Sequence, residues 1–166
     1  MELLDIYNEN REKTGRTVER GTHVCSGDFI LVVHVWIVNS KGEYLIQKRQ
    51  PWKKPYPNLW DCATAGAAAL GDDSAMAAYR ESKEELGIDI DMTRAEMLFT
   101  DKFSFGFDDI WLVKQNINIE DITLQTEEVA NIRWASEKDI RNMAVRGEFI
   151  DYYYLDDLFS MIRSRL

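Results

Sequence analysis

Three glutamates, Glu81, Glu84 and Glu85, stand close together in the stretch GAAALGDDSAMAAYRESKEELGI, residues 66–88. At 3.6 residues per turn, positions i, i+3 and i+4 share one helix face. A helix here therefore crowds three carboxylates into a narrow arc beside the small residues Ser74, Ala77 and Ala78. Like charges at that spacing cost a bare helix about 0.2–0.5 kcal/mol per pair. A hard divalent cation reverses the sign, because Mg²⁺ takes carboxylate oxygens. On its own, ESKEEL is most often just a solvated helix face, so the surrounding residues must decide.

The elements that would hold this arc are legible on both sides. Trp60 to Ala65 reads as a strand feeding a slim loop, Ala67-Ala68-Ala69. Asp72, Asp73 and Ser74 satisfy free amides at a helix N-terminus, and Gly87 is suited to cap the C-terminus near Leu86. Ala75, Tyr79 and Leu86 lie away from the glutamates and are expected to pack on a sheet. Upstream, Pro51 to Trp60 is a proline-stiffened loop carrying cations and aromatics. It reads equally as an ordered surface loop and as one wall of a ligand pocket, with Arg49 and Lys53 or Lys54 reaching phosphate oxygens.

Gly66, five residues, Asp72, seven residues, Arg80-Glu81, Ser82, Lys83, Glu84-Glu85, Leu86, Gly87, Ile88 resembles the Nudix box. Six fixed identities of that box are present: Gly66, Arg80, Glu81, Glu84, Glu85 and Gly87. At residue frequencies of roughly 6% each, such a match arises by chance on the order of 10⁻⁵ times in a chain this long. Asp72 stands where the family has glutamate, and Ser82 where it has an aliphatic residue. The resemblance implies hydrolysis of a diphosphate linkage, typically a nucleoside diphosphate joined to another group. It implies Mg²⁺, or Mn²⁺ in its place, held by Glu81, Glu84 and Glu85. Glu85 is the foremost ligand, and Glu81 is a ligand or general base. Arg80 would orient the glutamates, and Ala65 or Gly66 would lend a backbone carbonyl. Glu127 and Glu128, in a later acidic loop, are candidates for the base or an additional ligand. The shorter Asp72 is expected to weaken metal binding without abolishing it, and Ser82 to cost apolar burial in the helix.

A length of 166 residues suits one domain with a sizeable core. The 45% hydrophobic and 11% aromatic content is that of a globular chain. The formal net charge of −9 argues against a broad grip on nucleic-acid backbone. A small phosphorylated ligand is compatible with it, because a bound cation can mediate the contact. No apolar run approaches a membrane span and no signal peptide is apparent, so a cytoplasmic location and no membrane partner are expected. Cys25 and Cys62 fit no metal spacing or disulfide framework, which suits a reducing compartment.

Along the chain, residues 3–20 read as a hairpin-like extension, occupying about 1–28 of a single 1–166 domain. Phe29 to Val38 reads as a strand buried on both faces, with His34 as a hydrogen-bonded core histidine, and Glu43 to Arg49 as the returning strand. Strand-like pieces follow over 88–92, 96–100 and within 108–119, with Phe103, Phe105 and Phe107 in alternation. Val129 to Ala135 is a further strand, Ser136 to Asp139 a capping box opening a helix, and residues 149–163 a last helix. Its stripe of Ile150, Tyr154, Leu158 and Met161 or Ile162 suits the core, and its aromatics would also suit a homodimer contact. Alternating strands and helices imply an α/β fold, an α/β/α sandwich around a central mixed sheet. The Nudix resemblance implies the same.

Residues 3–60 also resemble one Nudix branch, the isopentenyl diphosphate isomerases, through LLDIYNENREKTG, His23, VWIVNSKGEYLIQKR and KKPYPNLWD. Matching register puts Ala65 at that branch's catalytic cysteine and Ala67 at a metal histidine; Asp109 falls near its glutamate. An alanine cannot transfer a proton, so cleavage is favoured over isomerisation. Action on an isoprenoid diphosphate, or metabolite binding without catalysis, are the alternative readings.

Overall fold

The computed structural model describes residues 1–166. Two strands open the chain, β1 (Leu3–Tyr7) and β2 (Lys13–Glu19), paired antiparallel as a separate two-stranded sheet. A seven-stranded mixed sheet follows. Its strands are β3 (Ile30–Val38), β4 (Tyr44–Arg49), β5 (Trp60–Asp61), β6 (Thr64–Ala67), β7 (Ala95–Phe103), β8 (Gly106–Lys114) and β9 (Val129–Ala135). Helix α1 (Ser74–Leu86) covers one face, while α2 (Glu137–Val145) and α3 (Leu155–Arg163) cover the other.

β3 is the axis. It runs parallel to β8 from Ile30↔Gly106 to Val38↔Lys114. On its other edge it pairs with two strands in turn: β6 along Val32–Val35, then β4 at Ile37 and Val38. β4 diverges from there to pair with β9 and β5. The fork between β4 and β6 opens the cleft described below.

The pleat explains why FILVVHVWIV is apolar almost throughout. Leu31, Val33, Val35 and Ile37 pack toward α1 with Ala77, Ala78 and Leu86. Trp36 and Val38 pack toward α3 with Leu158, Phe159 and Ile162. Trp36, Tyr44 and Phe159 meet edge-on, with Trp36–Tyr44 centroids 6.1 Å apart and Tyr44–Phe159 centroids 5.2 Å apart. Such pairs contribute about 0.5–1.5 kcal/mol each beyond area burial.

The hairpin is tied to the box region. The Leu70 amide donates to the Leu3 carbonyl at 2.8 Å, and the Gly71 amide to Asp5 Oδ2 at 2.9 Å. Lys13 Nζ donates to Asp5 Oδ2 at 2.8 Å and to the Asp72 carbonyl at 3.2 Å. Arg11 reaches across to Asp109, a fully buried carboxylate on β8.

Several expectations change. The strand over residues 60–65 is two short pieces, interrupted at Cys62 and Ala63 where β5 leaves β4's edge and β6 joins β3. Residues 88–91 form no strand; Ile88 and Ile90 pack into the core, and a short 3-10 turn spans Met92–Arg94. The last helix begins only at Leu155, because Phe149 and Ile150 extend alongside Trp60 instead. Its apolar stripe is core as expected, with Ile150, Tyr154, Leu158 and Ile162 all buried. Tyr79 does not pack on the sheet: it is exposed and donates to Asp89. Ala75 is only half-buried, and the helix face on the sheet is instead Ala77, Ala78, Glu81, Ser82, Glu85 and Leu86.

Candidate active site

β6 delivers the chain to the site, and the loop 68–73 turns it into α1. The Asp73 side chain caps the helix by accepting from the Met76 amide at 2.8 Å. Gly87 closes it at φ 66°, a left-handed conformation that glycine adopts without strain. Glu81 and Glu85 thus point inward under β6 and are 3% and 7% exposed. Gly66 makes room for Glu81: a Cβ at residue 66 would lie 2.2 Å from Glu81 Cδ. Burial, with the charge of Glu85 behind it, pushes the Glu81 carboxyl up to about 7. Burial likewise raises Glu85, opposed by donors from Thr64 Oγ1 at 2.6 Å and Gln47 Nε2 at 2.7 Å.

Arg80 organises the rest. Its guanidinium donates to Asp72 Oδ2 at 2.8 Å, the Ala67 carbonyl at 2.9 Å, and Glu81 Oε1 and Glu84 Oε2 at 3.1 Å each. Burial works against its charge, yet Asp72 and the glutamates hold it firmly protonated. Asp72 also accepts from the Ala69 amide at 3.0 Å, so the shorter acid still spans loop and arginine. Ser82 is fully buried and donates to the Ala78 carbonyl at 2.8 Å. The hydroxyl is thereby satisfied within the helix.

A cleft of about 380 Å³ runs past this strand-to-helix junction, lined by Ala65, Gly66 and Ala67 on one side. Arg49, Lys53 and Lys54 line it too, so part of the proline-rich loop forms its wall. Their charges differ in availability. Arg49 braces its own loop, donating to the Tyr56 and Pro55 carbonyls at 3.2 and 3.1 Å. Lys53 is ion-paired with Glu128, and burial together with Arg49 lowers its affinity for the proton. Glu128 thus faces the cationic wall. The Glu127 carbonyl accepts from Trp52 Nε1 at 3.0 Å, tying the acidic loop to the proline-rich one. A wider depression of about 770 Å³ lies beyond Gly87, past the helix C-terminus from the glutamates.

Two features escaped the sequence. Arg20, just past β2, lines the cleft, pairs with Glu2 at 2.8 Å and feels the charges of Glu81 and Glu85. Nothing in its local sequence marks it, because only the hairpin's return places it there. His34 and Asp108 also line the cleft, with Nδ1 2.7 Å from Oδ2. Their register neighbours Ala65 and Val32 share that face of the sheet.

The donors fit a hard divalent cation. Two buried carboxylates sit close enough for one to raise the other's affinity for a proton, and a metal would relieve that repulsion. Glu84 is half-exposed and turned to Arg80, so no three acidic or histidine side chains form a ready cage in this conformation. Glu81 and Glu85 are the pair that could hold a metal.

The NUDIX domain family matches residues 28–158. A Nudix hydrolase of Listeria innocua, itself uncharacterised, is 46% identical over 97% of this chain and 95% of its own length. The isopentenyl-diphosphate Delta-isomerase of Escherichia coli is 23% identical over 84% of this chain and 79% of its own. A crystal structure from Deinococcus radiodurans superposes with a TM-score of 0.78 at 23% identity, covering 96% and 98% of the two chains. A Caenorhabditis elegans Ap4A hydrolase complex superposes with a TM-score of 0.59 at 25% identity, covering 81% and 96%. The chain belongs to the Nudix hydrolase family, and the α/β/α sandwich is that family's fold.

Proposed function

We propose that this protein hydrolyses a diphosphate linkage in a small molecule, with Mg²⁺ or Mn²⁺ bound at Glu81 and Glu85 and Glu84 completing the set. The observation that carries this reading is the buried Glu81–Glu85 pair, with Glu81 packed against Gly66 of a strand that lines a cleft with four cationic side chains, Arg20, Arg49, Lys53 and Lys54. When bound, the cation would neutralise phosphate charge and make an attacking water more acidic. The protein's own groups do the positioning. Thr64 and Gln47 fix one oxygen of Glu85. Arg80 fixes the Glu81 carboxylate and keeps the Ala67 carbonyl in place. Lys54, Lys53 and Arg20 offer charge to phosphate oxygens, which suits a reaction that demands chiefly orientation and charge stabilisation. Glu81, with its high affinity for a proton, and Glu128, paired with Lys53 of the cleft wall, are the candidates for the base.

Isomerisation is disfavoured by the side chains in place. Ala65 and Ala67 border the cleft where the isomerase branch uses a cysteine and a histidine, and Cys62 is buried with Sγ directed at the Thr64 carbonyl. The test is phosphate-product release from a panel of dinucleotides, nucleotide sugars, deoxynucleotides and isoprenoid diphosphates with Mg²⁺ and with Mn²⁺. Release that stops on chelation supports the reading; none from any compound with either metal overturns it.

A further inference from the structure

Residues 1–27 lie outside the span that matches the family, yet two of them reach the box. β1 and β2 pair from Leu3↔Glu19 onward, and the Arg20 amide donates to the Glu2 carbonyl at 2.9 Å. Glu2 and Arg20 therefore face each other at the open end of the hairpin, one step beyond the first strand pair. That end is fixed on the box loop by the Leu70 amide on the Leu3 carbonyl and the Gly71 amide on Asp5. The Glu2 carboxylate lies between two arginines. Its Oε2 accepts from Arg20 Nη1 at 2.8 Å, and its Oε1 is 3.9 Å from Arg80 Nη1. The same Arg80 nitrogen donates to Glu81 and Glu84. Arg20 lines the cleft and feels Glu81 and Glu85, and Lys53 on the proline-rich loop feels Arg20 in turn. Only Nη1 of the Arg20 fork meets an acceptor in the protein, and the side chain is 46% exposed. An ion pair this exposed adds little to stability. Its effect is on place: a long, flexible side chain is pinned at one nitrogen while Nη2 and Nε stay unpartnered.

We infer that the hairpin completes the active site: Glu2 is a positioning residue that holds Arg20 at the cleft, and the unpartnered side of the Arg20 fork binds a phosphate oxygen of the diphosphate. This rests on the hydrolase reading above and deepens it. A guanidinium matches phosphate geometry and keeps its charge at any working pH. Arg80 is not free for this task, because Asp72, the Ala67 carbonyl, Glu81 and Glu84 engage it. Arg20 comes from the hairpin and Lys53 and Lys54 from the proline-rich loop, so two separate elements hold the phosphates.

The probe is methylenediphosphonate, whose P–C–P link cannot be hydrolysed, titrated by calorimetry with Mg²⁺ present. Binding needs no turnover, so this inference and the hydrolase reading fail separately. Kd should rise about fivefold or more in Arg20→Met and in Glu2→Leu, and by less than about twofold in Glu2→Gln, whose amide oxygen still accepts from Arg20. In the Arg20→Met background, Glu2→Leu should add less than about twofold, because it acts through Arg20. With the best diphosphate of the panel, KM should rise in step while kcat stays within about threefold, the signature of a contact made equally in ground and transition states. A folded Glu2→Leu with the parent Kd overturns the proposal and leaves Glu2 as a tie for the hairpin alone. Tighter binding in Glu2→Leu also overturns it, making Glu2 a competitor of phosphate. So does an unchanged Kd in Arg20→Met, which carries the test by itself if Glu2→Leu does not fold, or a parent protein that binds no diphosphonate.

Discussion

Gly66 and Glu81 occupy one space: a Cβ on residue 66 would lie 2.2 Å from the Glu81 Cδ and 2.3 Å from its Oε1. The first glycine of the box is therefore a clearance for the carboxylate that the helix aims under β6. Gly66→Ala must displace Glu81, which is 3% exposed and has nowhere free to go. Overpacking of this kind costs about 1–3 kcal/mol, seen as a lower unfolding midpoint in urea. We expect hydrolysis to fall further than stability does, by at least tenfold in kcat/KM in protein that is still folded. A folded Gly66→Ala with full activity would dissociate Glu81 from the chemistry.

Asp72→Glu restores the residue that the family pattern calls for, yet no gain is expected. Asp72 already meets both Arg80 and the Ala69 amide, and at 9% exposure there is little space for another methylene. Activity should change by less than threefold and stability should drop slightly, by about 1 kcal/mol. A rise in activity beyond threefold would show that the aspartate limits the site.

Arg80→Lys keeps a charge but loses the fork that joins Asp72, the Ala67 carbonyl, Glu81 and Glu84. One ammonium cannot span all four. The expected outcome is a fall in kcat of tenfold or more, with a higher Mg²⁺ concentration needed for half-maximal rate. An unchanged metal requirement would mean that Arg80 does not position the glutamates.

Acid stability should depend on Arg11. Burial works to raise the Asp109 carboxyl, but Arg11 together with the Ser74 and Thr100 hydroxyls holds the group below its ordinary value, Thr100 donating at 2.6 Å. A carboxylate depressed in the folded state stabilises fully above its unfolded value near 3.8, and that stabilisation is lost as pH falls through the folded value. Arg11→Ala leaves the carboxylate buried without its cation. The cost at pH 7 should be about 2–3 kcal/mol, at the low end for a broken buried pair because Arg11 is one-third exposed. The acid unfolding midpoint, followed by circular dichroism, should move to higher pH. No movement would mean that the pair contributes nothing.

How far the sequence reaches differs from residue to residue. The box was legible because helical geometry is local: Arg80, Glu81, Glu85 and the caps at Asp73 and Gly87 need only the helix to be placed. The burial of β3 on both faces was legible for the same reason. The fork in the sheet was not, since β3's parallel pairing with β8 and its shared edge with β4 and β6 are set by long-range register. That fork decides which residues line the cleft. His34 reads as a core histidine in sequence, and it is hydrogen-bonded, but its partner Asp108 comes from β8 and the pair borders the cleft. Arg20 was hidden because its position depends on the hairpin folding back over the box. The start of the last helix is not legible, because Ile150 has the spacing of a helical stripe yet packs with Phe149 as an extended segment beside Trp60.

Glu85→Gln tests the central claim most directly. Glutamine preserves the shape and can still meet Thr64 and Gln47, so the variant should fold, with thermal stability equal to or above the parent because a buried charge is removed. With Mg²⁺ and the best diphosphate of the panel, kcat/KM should fall by at least a hundredfold while the fold is intact. A folded Glu85→Gln that hydrolyses the same compound within threefold of the parent rate would contradict a metal-dependent hydrolytic site on this helix.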